Sequence, residues 1–175
     1  NARSLRNKKT NMIGLIVPDN ANPFFAEIAK GIEDAGFDAG FSVLLCNSNS
    51  MLQRELEYID LLLSKRVAGI ILASTSPSLN HVKKIIDSNV PLSVFYRDTD
   101  DLDIDIFQID NVEVGYCATR YLLDLGHRNI AHIRAKSAET SSGKREDGYR
   151  KALMEFGIQP NEALMPVGDN LISSG

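Results

Sequence analysis

The sequence predicts an α/β fold built on a parallel sheet, and three observations carry that prediction. Apolar runs of strand length recur at Met12-Ile13-Gly14-Leu15-Ile16-Val17, Val67 to Ala73 and Val90 to Phe95, as expected of strands covered on both faces. Segments with apolar residues at helical spacing separate them, and a strand–helix–strand alternation implies parallel strands joined by right-handed crossovers. Turn residues fall where such units change direction: Pro18 after the first run, Asn22-Pro23 at the start of the following helix, Gly36 and Gly40 at its end.

Asp19-Asn20-Ala21-Asn22 is a polar loop after the first strand, with Asn22 placed as N-cap and Pro23 at the first helical position, where its missing N–H costs nothing. Phe25, Ile28, Ala29, Ile32, Ala35 and Ala39 then recur at helical spacing, a stripe suited to packing on the sheet. Ser42 to Cys46 is the second strand. Ser50-Met51-Leu52-Gln53 reads as a capping box opening a helix with Leu52, Leu56, Ile59 and Leu63 on one face. Val67 to Ala73 is the third strand, a helix from about Leu79 to Ser88 turns Val82, Ile85 and Ile86 inward, and Val90 to Phe95 is the fourth strand.

Ile104 to Asp110 resumes as a strand, and Asn111 is placed as the cap of a helix whose Val114, Cys117, Ala118, Tyr121, Leu122 and Leu125 form the buried face. Gly126 ends it. Ile130 to Ala135 is a sixth strand and Lys136 to Gly143 a polar loop. A helix follows through Tyr149, Leu153 and Phe156 to Gly157, with Ala163 to Val167 as a seventh strand.

An apolar fraction of 43% over 175 residues excludes disorder as the main state. No apolar run approaches the ~20 residues of a membrane helix, and the chain opens on polar and basic residues in place of an apolar signal segment. Both point to the cytoplasm. A start at Asn1 and an end at Ser173-Ser174-Gly175 read as a fragment of a longer protein. Of the 19 basic residues, Arg3, Arg6, Lys8 and Lys9 fall in the first ten positions with no acid beside them; the rest of the chain sets 15 bases against 23 acids, a net of −8. Such a body repels a polyanion, so if nucleic acid is a partner it must be held at or before the basic N-terminus. Asn1 to Arg6 spans about one and a half helical turns, too short to be stable alone in water. The other reading of this stretch is a solvated basic tail.

No catalytic constellation is visible. His81, His127 and His132 are scattered, Cys46 and Cys117 share no metal-like spacing and read as buried reduced thiols, and GxSxG, GxxxxGK[ST] and GxGxxG are missing. Asp98, Asp100, Asp101, Asp103 and Asp105 lack the glycine and terminal glutamate of a calcium loop and read as a solvated acidic segment. Neither metal nor cofactor is expected, and binding is expected over turnover. Asn20, Asn22, Phe24, Phe25, Ser74, Arg97, Asp110, Ser141 and Arg145 gather at strand ends or the helix starts beyond them, where ligands bind in open α/β folds. Aromatic faces with side chains able to make paired hydrogen bonds suit a small hydroxylated ligand such as a sugar. The competing reading is strand-end capping with ion pairing, in which Arg145 and Asp110 are each other's partners.

Read together, Ala2-Arg3-Ser4-Leu5, Ile13 to Asp19, Asn22-Pro23-Phe24-Phe25, Val67 to Leu72, Asp110-Asn111, Leu125-Gly126-His127-Arg128-Asn129-Ile130-Ala131, and Arg145 with Gly148-Tyr149 resemble the lactose-repressor/galactose-repressor (LacI/GalR) family of bacterial transcription regulators. The resemblance implies a periplasmic-binding-protein-like (type I) two-lobe fold around an effector cleft, with residues 1–10 as a DNA hinge segment, 11–128 as the N-terminal lobe and 129–175 as the start of an incomplete C-terminal lobe. It implies a repressor working as a homodimer on operator DNA, reached through the hinge and a preceding helix-turn-helix absent from this sequence. Operator affinity is then controlled allosterically by a small effector, a sugar or sugar derivative. Leu5 matches the leucine that wedges between base pairs, and Arg3 an arginine beside it. Arg145 matches the effector-clamping arginine, Phe24 and Phe25 aromatic cleft positions, and Asp110 and Ser141 polar contacts. Sugar-binding members often carry Asp-Arg after the fourth strand, where this chain has Tyr96-Arg97, a departure that points toward another effector. A periplasmic sugar-binding protein of a transport system is the alternative; Arg3-Ser4-Leu5 and Gly126-His127-Arg128 weigh against it.

Overall fold

The structure is a computed structural model that describes residues 10–74, 80–95, 104–135 and 141–168. Arg3, Leu5, Tyr96, Arg97, Asp98, Asp100, Asp101 and Asp103, singled out above, lie outside the described residues. The chain divides into two compact units between Gln108 and Ile109.

The first unit contains β1 (Met12–Val17), α1 (Pro23–Asp38), β2 (Ser42–Asn47), α2 (Leu52–Ser64), β3 (Gly69–Ala73), a 3₁₀ turn Asn80–Val82 running into α3 (Lys83–Asp87), β4 (Leu92–Phe95) and β5 (Asp105–Phe107). Among the described residues these strands form a five-stranded sheet in the order β2-β1-β3-β4-β5. Every pairing is parallel, with Ile16 opposite Cys46 on one side and Leu72 on the other. The predicted parallel α/β class is what the structure shows.

Alternation along each strand sorts the apolar residues into two cores. Leu15, Val17, Ala73 and Phe95 share a cluster with Phe25 and Ala29 of α1. Ile16, Cys46, Leu72 and Val94 join Ile59 and Leu62 of α2, Val82 of the 3₁₀ turn and Ile85 of α3. Each fully buried aliphatic side chain contributes ~1.5 to 3 kcal/mol relative to exposure. A Cβ on Gly14 would lie 2.4 Å from Leu62 Cδ1; α2 settles against β1 where no side chain projects.

α1 begins as its sequence predicts, with Asn22 extended and accepting from the Phe24 N–H, and Pro23 in the first turn. α2 does not. Ser50 takes a positive φ of 56° and donates its N–H to the Pro18 carbonyl at 2.9 Å, so the N-cap falls to Met51 with no side-chain bond and the predicted capping box is absent. The single long helix expected over Leu79 to Ser88 is a 3₁₀ turn plus five α-helical residues. β1 matches its apolar run and β2 extends one residue past it, whereas β3, β4 and β5 are shorter than predicted.

On α1, Gly31 has nothing within 4 Å of the place a Cβ would occupy, and its glycine only adds entropy to the unfolded chain. Gly31→Ala should therefore raise the unfolding free energy by ~0.5 to 1 kcal/mol, read from a urea melt. A lower midpoint would mean that this face of α1 does pack on something.

The second unit contains α4 (Asn111–Asp124), β6 (Arg134–Ala135), α5 (Ser141–Glu155), a 3₁₀ turn Glu162–Leu164 and β7 (Val167–Gly168), with β6 and β7 paired in parallel. β6 is shorter than predicted, and the run from Ala163 begins as a 3₁₀ turn, with β7 only at Val167–Gly168. Leu123, Ile130, Tyr149, Ala152, Leu153 and Met165 form its core, and the Tyr149 hydroxyl donates to the Ile130 carbonyl at 2.8 Å. Arg150 binds Glu146 and Glu162, and Arg134 binds Glu162, linking α5, β6 and the turn before β7.

Contacts group α4 with α5, and the compact units divide between Gln108 and Ile109; a first lobe running to Arg128 is what the family resemblance implies. Two expectations about α4 are corrected here. The cap of α4 is Asp110, not Asn111: its carboxylate accepts from the Glu113 N–H at 3.0 Å. The predicted buried face of α4 is largely solvent-facing, with Tyr121 65% and Leu125 60% exposed, while Gly115, Thr119 and Leu123 turn inward. The inward face is set by the small residues that admit α5 rather than by the widest apolar stripe.

Candidate functional site

In the first unit the polar loop after β1 is held by its own backbone. Asp19 accepts from the Ala21 N–H at 2.9 Å and Asn22 from the Phe24 N–H at 3.0 Å, so both carboxyl and amide side chains shape the turn into α1. Asn47 at the end of β2 donates its amide to Asn20 Oδ1 at 2.9 Å, which joins the carboxyl ends of β1 and β2. Phe24 and Phe25 meet edge to face, centroids 5.1 Å apart. Their fates differ: Phe24 is 39% exposed, whereas Phe25 is buried and packs toward Phe95, centroids 6.5 Å apart. Phe25 is a wall of the core that fixes Phe24, not a second open ring.

Ser74, at the carboxyl end of β3, is also buried, and its hydroxyl donates to Glu55 Oε2 at 3.1 Å. The other carboxylate oxygen of Glu55 pairs with His81 Nε2. One carboxylate from the first turn of α2 thus ties Ser74 to His81, and Ser74 is a strand-end anchor.

In the second unit the groups converge on Arg145. Its Nη1 donates to Asn111 Oδ1 at 2.6 Å and its Nη2 to Ser142 Oγ at 2.8 Å. Asn111 donates its own amide to the Ile109 carbonyl at 3.0 Å, which fixes the oxygen toward the guanidinium. Asp110 and Arg145 are not partners: Asp110 caps α4, and among the described residues both acceptors of Arg145 are neutral. A planar guanidinium pinned by neutral oxygens keeps its charge for a further acceptor. Ser141 lies half-buried in the first turn of α5, within the helix rather than in the expected loop. Asn111 and Ser142 are the residues the sequence reading missed as side-chain partners. Their signal was adjacency to Asp110 and to the helix start.

Burial holds the His132 imidazole below its ordinary range; Arg145, Arg150 and Arg134 act in the same sense and Glu146 opposes them. The ring stacks on Tyr149, centroids 5.2 Å apart. Burial pushes the Cys46 thiol up to about 11, and the Glu113 carboxylate, by hydrogen bonding, raises that of Cys117; neither thiol is activated. Cys117 is exposed rather than buried. Among the described residues no three His, Cys, Asp or Glu side chains are placed to hold a metal, and no helix is long and apolar enough to cross a membrane.

A parallel sheet with polar groups at its carboxyl ends, followed by a second α/β unit with an arginine at paired helix starts, defines a periplasmic-binding-protein-like type I fold. The model for periplasmic binding proteins and the sugar binding domain of the LacI family matches residues 10–175, and the chain belongs to that family. It is 37% identical over 167 residues to the HTH-type transcriptional regulator DegA of Bacillus subtilis, covering 94% of this chain and 50% of that protein. To catabolite control protein A of Priestia megaterium it is 34% identical, covering 99% and 52%. Among solved structures, the transcription regulator CcpA of Lactococcus lactis superposes with a TM-score of 0.77 at 28% identity over 91% of this chain and 59% of that one. The cellobiose complex of the transcriptional regulator CelR does so at 0.78 and 29%, over 96% and 53%. The chain spans about half the length of the curated relatives it matches.

Proposed function

We propose that this chain is the effector-binding core of a cytoplasmic, DNA-binding transcriptional repressor, working as a homodimer and not as an enzyme, whose operator affinity is set by a small sugar or sugar derivative. The observation that carries the reading is the Arg145 guanidinium, fixed by Asn111 and Ser142 with no carboxylate on it among the described residues, in a chain whose relatives are transcriptional regulators. The polar groups around Asn20, Asn22 and Phe24 in the first unit, and Asp110, Ser141 and Arg145 in the second, recognise the effector; Arg97, from its place after the fourth strand in the sequence, joins them. An effector acts by binding two arrangements of the protein with different affinity, a coupling of ~1 to 3 kcal/mol. A regulator is favoured over a transport protein because the relatives named above bear regulators' names.

The test is a thermal-shift screen of the full-length protein against neutral sugars, sugar phosphates and purines. A ligand at ~100 times its dissociation constant adds ~2.7 kcal/mol to unfolding, so a hit raises the melting temperature clearly. A neutral-sugar hit supports this reading; binding without any effect on operator affinity would return the chain to the transport class. In the same protein, residues 1–10 serve as the DNA hinge, with Arg3 and Leu5 at the operator. Leu5→Ala should weaken operator binding and leave effector affinity unchanged, measured by gel shift and by calorimetry. Lost effector binding would remove Leu5 from the hinge role.

A further inference from the structure

α4 and α5 touch backbone to backbone near their starts. A Cβ built on Gly115 would lie 2.0 Å from the Arg145 carbonyl oxygen and 2.9 Å from its Cα. A Cβ on Gly148 would lie 2.0 Å from the Val112 carbonyl oxygen and 2.5 Å from the Tyr116 nitrogen. The contact is reciprocal, each glycine facing the other helix's main chain. No rotamer change relieves such a clash, since the neighbour is backbone in both cases; the helices themselves must part.

The place where they would part is the place where Arg145 is held. Gly115 faces the backbone of Arg145 itself, and one turn earlier on α4 Asn111 accepts from Nη1 at 2.6 Å. Thr119, buried one turn later, donates to the Gly115 carbonyl at 2.8 Å and anchors that turn of α4. The apolar core of the unit, at Leu123, Ala152, Leu153 and Met165, draws on the later halves of the two helices. Tyr116 reaches Glu155 at 2.7 Å, so the helices run side by side from the arginine toward that core. A wedge at the glycines therefore opens the arginine end while the core end stays joined.

We propose that Gly115 and Gly148 are positioning residues for Arg145: their missing side chains set the separation of α4 and α5 at which one guanidinium reaches Asn111 and Ser142 together. The functional weight of this rests on the reading of Arg145 as the effector-holding group; the geometry does not.

The experiment uses full-length protein labelled with ¹⁵N-arginine. In the parent protein the Arg145 Nη hydrogens, held by two fixed oxygens, give resolved signals, assigned by their disappearance in Arg145→Lys. Gly115→Ala and Gly148→Ala should each merge those signals into the averaged signal of a freely rotating guanidinium, while helix content and cooperative melting persist. Gly31→Ala, an alanine placed on a helix without a neighbour, should leave them unchanged. Resolved Arg145 signals retained in the folded glycine variants would overturn the proposal. So would failure of both variants to fold, which would assign the glycines to stability alone. The role of Arg145 toward an effector is read separately, from the response of Arg145→Ala. A normal response there would end the effector reading and leave the glycine result standing.

Discussion

Arg145→Ala is expected to abolish the effector response while leaving operator binding by the effector-free protein intact. The side chain sits at the starts of α4 and α5, where Nη1 and Nη2 are fixed by Asn111 and Ser142 at 2.6 and 2.8 Å. Orientation is therefore fixed before any ligand arrives, and no carboxylate among the described residues neutralises the charge. A hydrogen bond from a charged donor is worth ~1.5 to 3 kcal/mol, so losing one such bond to an effector lowers affinity on the order of ten- to a hundredfold. Arg145→Lys is expected to recover only part of this, because a single ammonium cannot span Asn111, Ser142 and a ligand in one plane. The measurement pairs calorimetric effector titration with operator retention in the same preparation. A response of ordinary size in Arg145→Ala would remove the arginine from the mechanism.

Glu55→Ala should be the most destabilising exchange in the first unit. The carboxylate is 3% exposed, takes the Ser74 hydroxyl at 3.1 Å and pairs with a His81 ring that is itself buried. Removing it takes the carboxylate away from the buried His81 ring and one acceptor from Ser74, next to Ile59 and Val82, which have no solvent contact. Breaking a buried pair in this way costs ~3 to 5 kcal/mol, a large share of the ~5 to 15 kcal/mol that holds a domain folded. Glu55→Gln keeps an acceptor for Ser74 and should cost less. Urea unfolding at neutral pH decides it: a loss below ~1 kcal/mol in Glu55→Ala would show that water replaces the carboxylate without penalty.

The most legible part of the sequence was β1 and its exit. A continuous apolar run, a proline and an Asn-Pro helix start act locally, and each behaves as its chemistry dictates. Ser50 was misread because its capping pattern is local while its fate is not: the Pro18 carbonyl, 32 positions earlier, claims its N–H. α4 failed for a related reason. Val114, Tyr121 and Leu125 make the wider apolar stripe, yet Gly115, Thr119 and Leu123 face inward, because backbone contact with α5 outweighs stripe width. Periodicity finds a helix reliably but cannot say which neighbour it meets.

The candidate site was legible by position and not by partner. Asn22, Phe24, Asp110 and Arg145 do lie at strand ends or helix starts, where an α/β sheet exposes its backbone dipoles. Phe25 and Ser74, at the same kind of position, are buried into core and anchor. Helical spacing does separate the two rings, because Phe25 begins the apolar stripe of α1 and Phe24 does not; α1 accordingly turns Phe25 toward Phe95 and leaves its neighbour at the rim. Spacing could not reveal that Arg145 would be held by Asn111 in place of Asp110, since the choice depends on how closely α5 approaches α4.

Phe24 has one more consequence. The chain contains no tryptophan, and this ring stands partly open, edge-on to a buried neighbour that holds its backbone in place. An indole installed by Phe24→Trp would be the chain's sole long-wavelength emitter, placed on a rigid mount at the end of β1. Excited at its red edge, where the 5 tyrosines of the chain do not absorb, it would register in its emission colour whatever comes to rest on that spot.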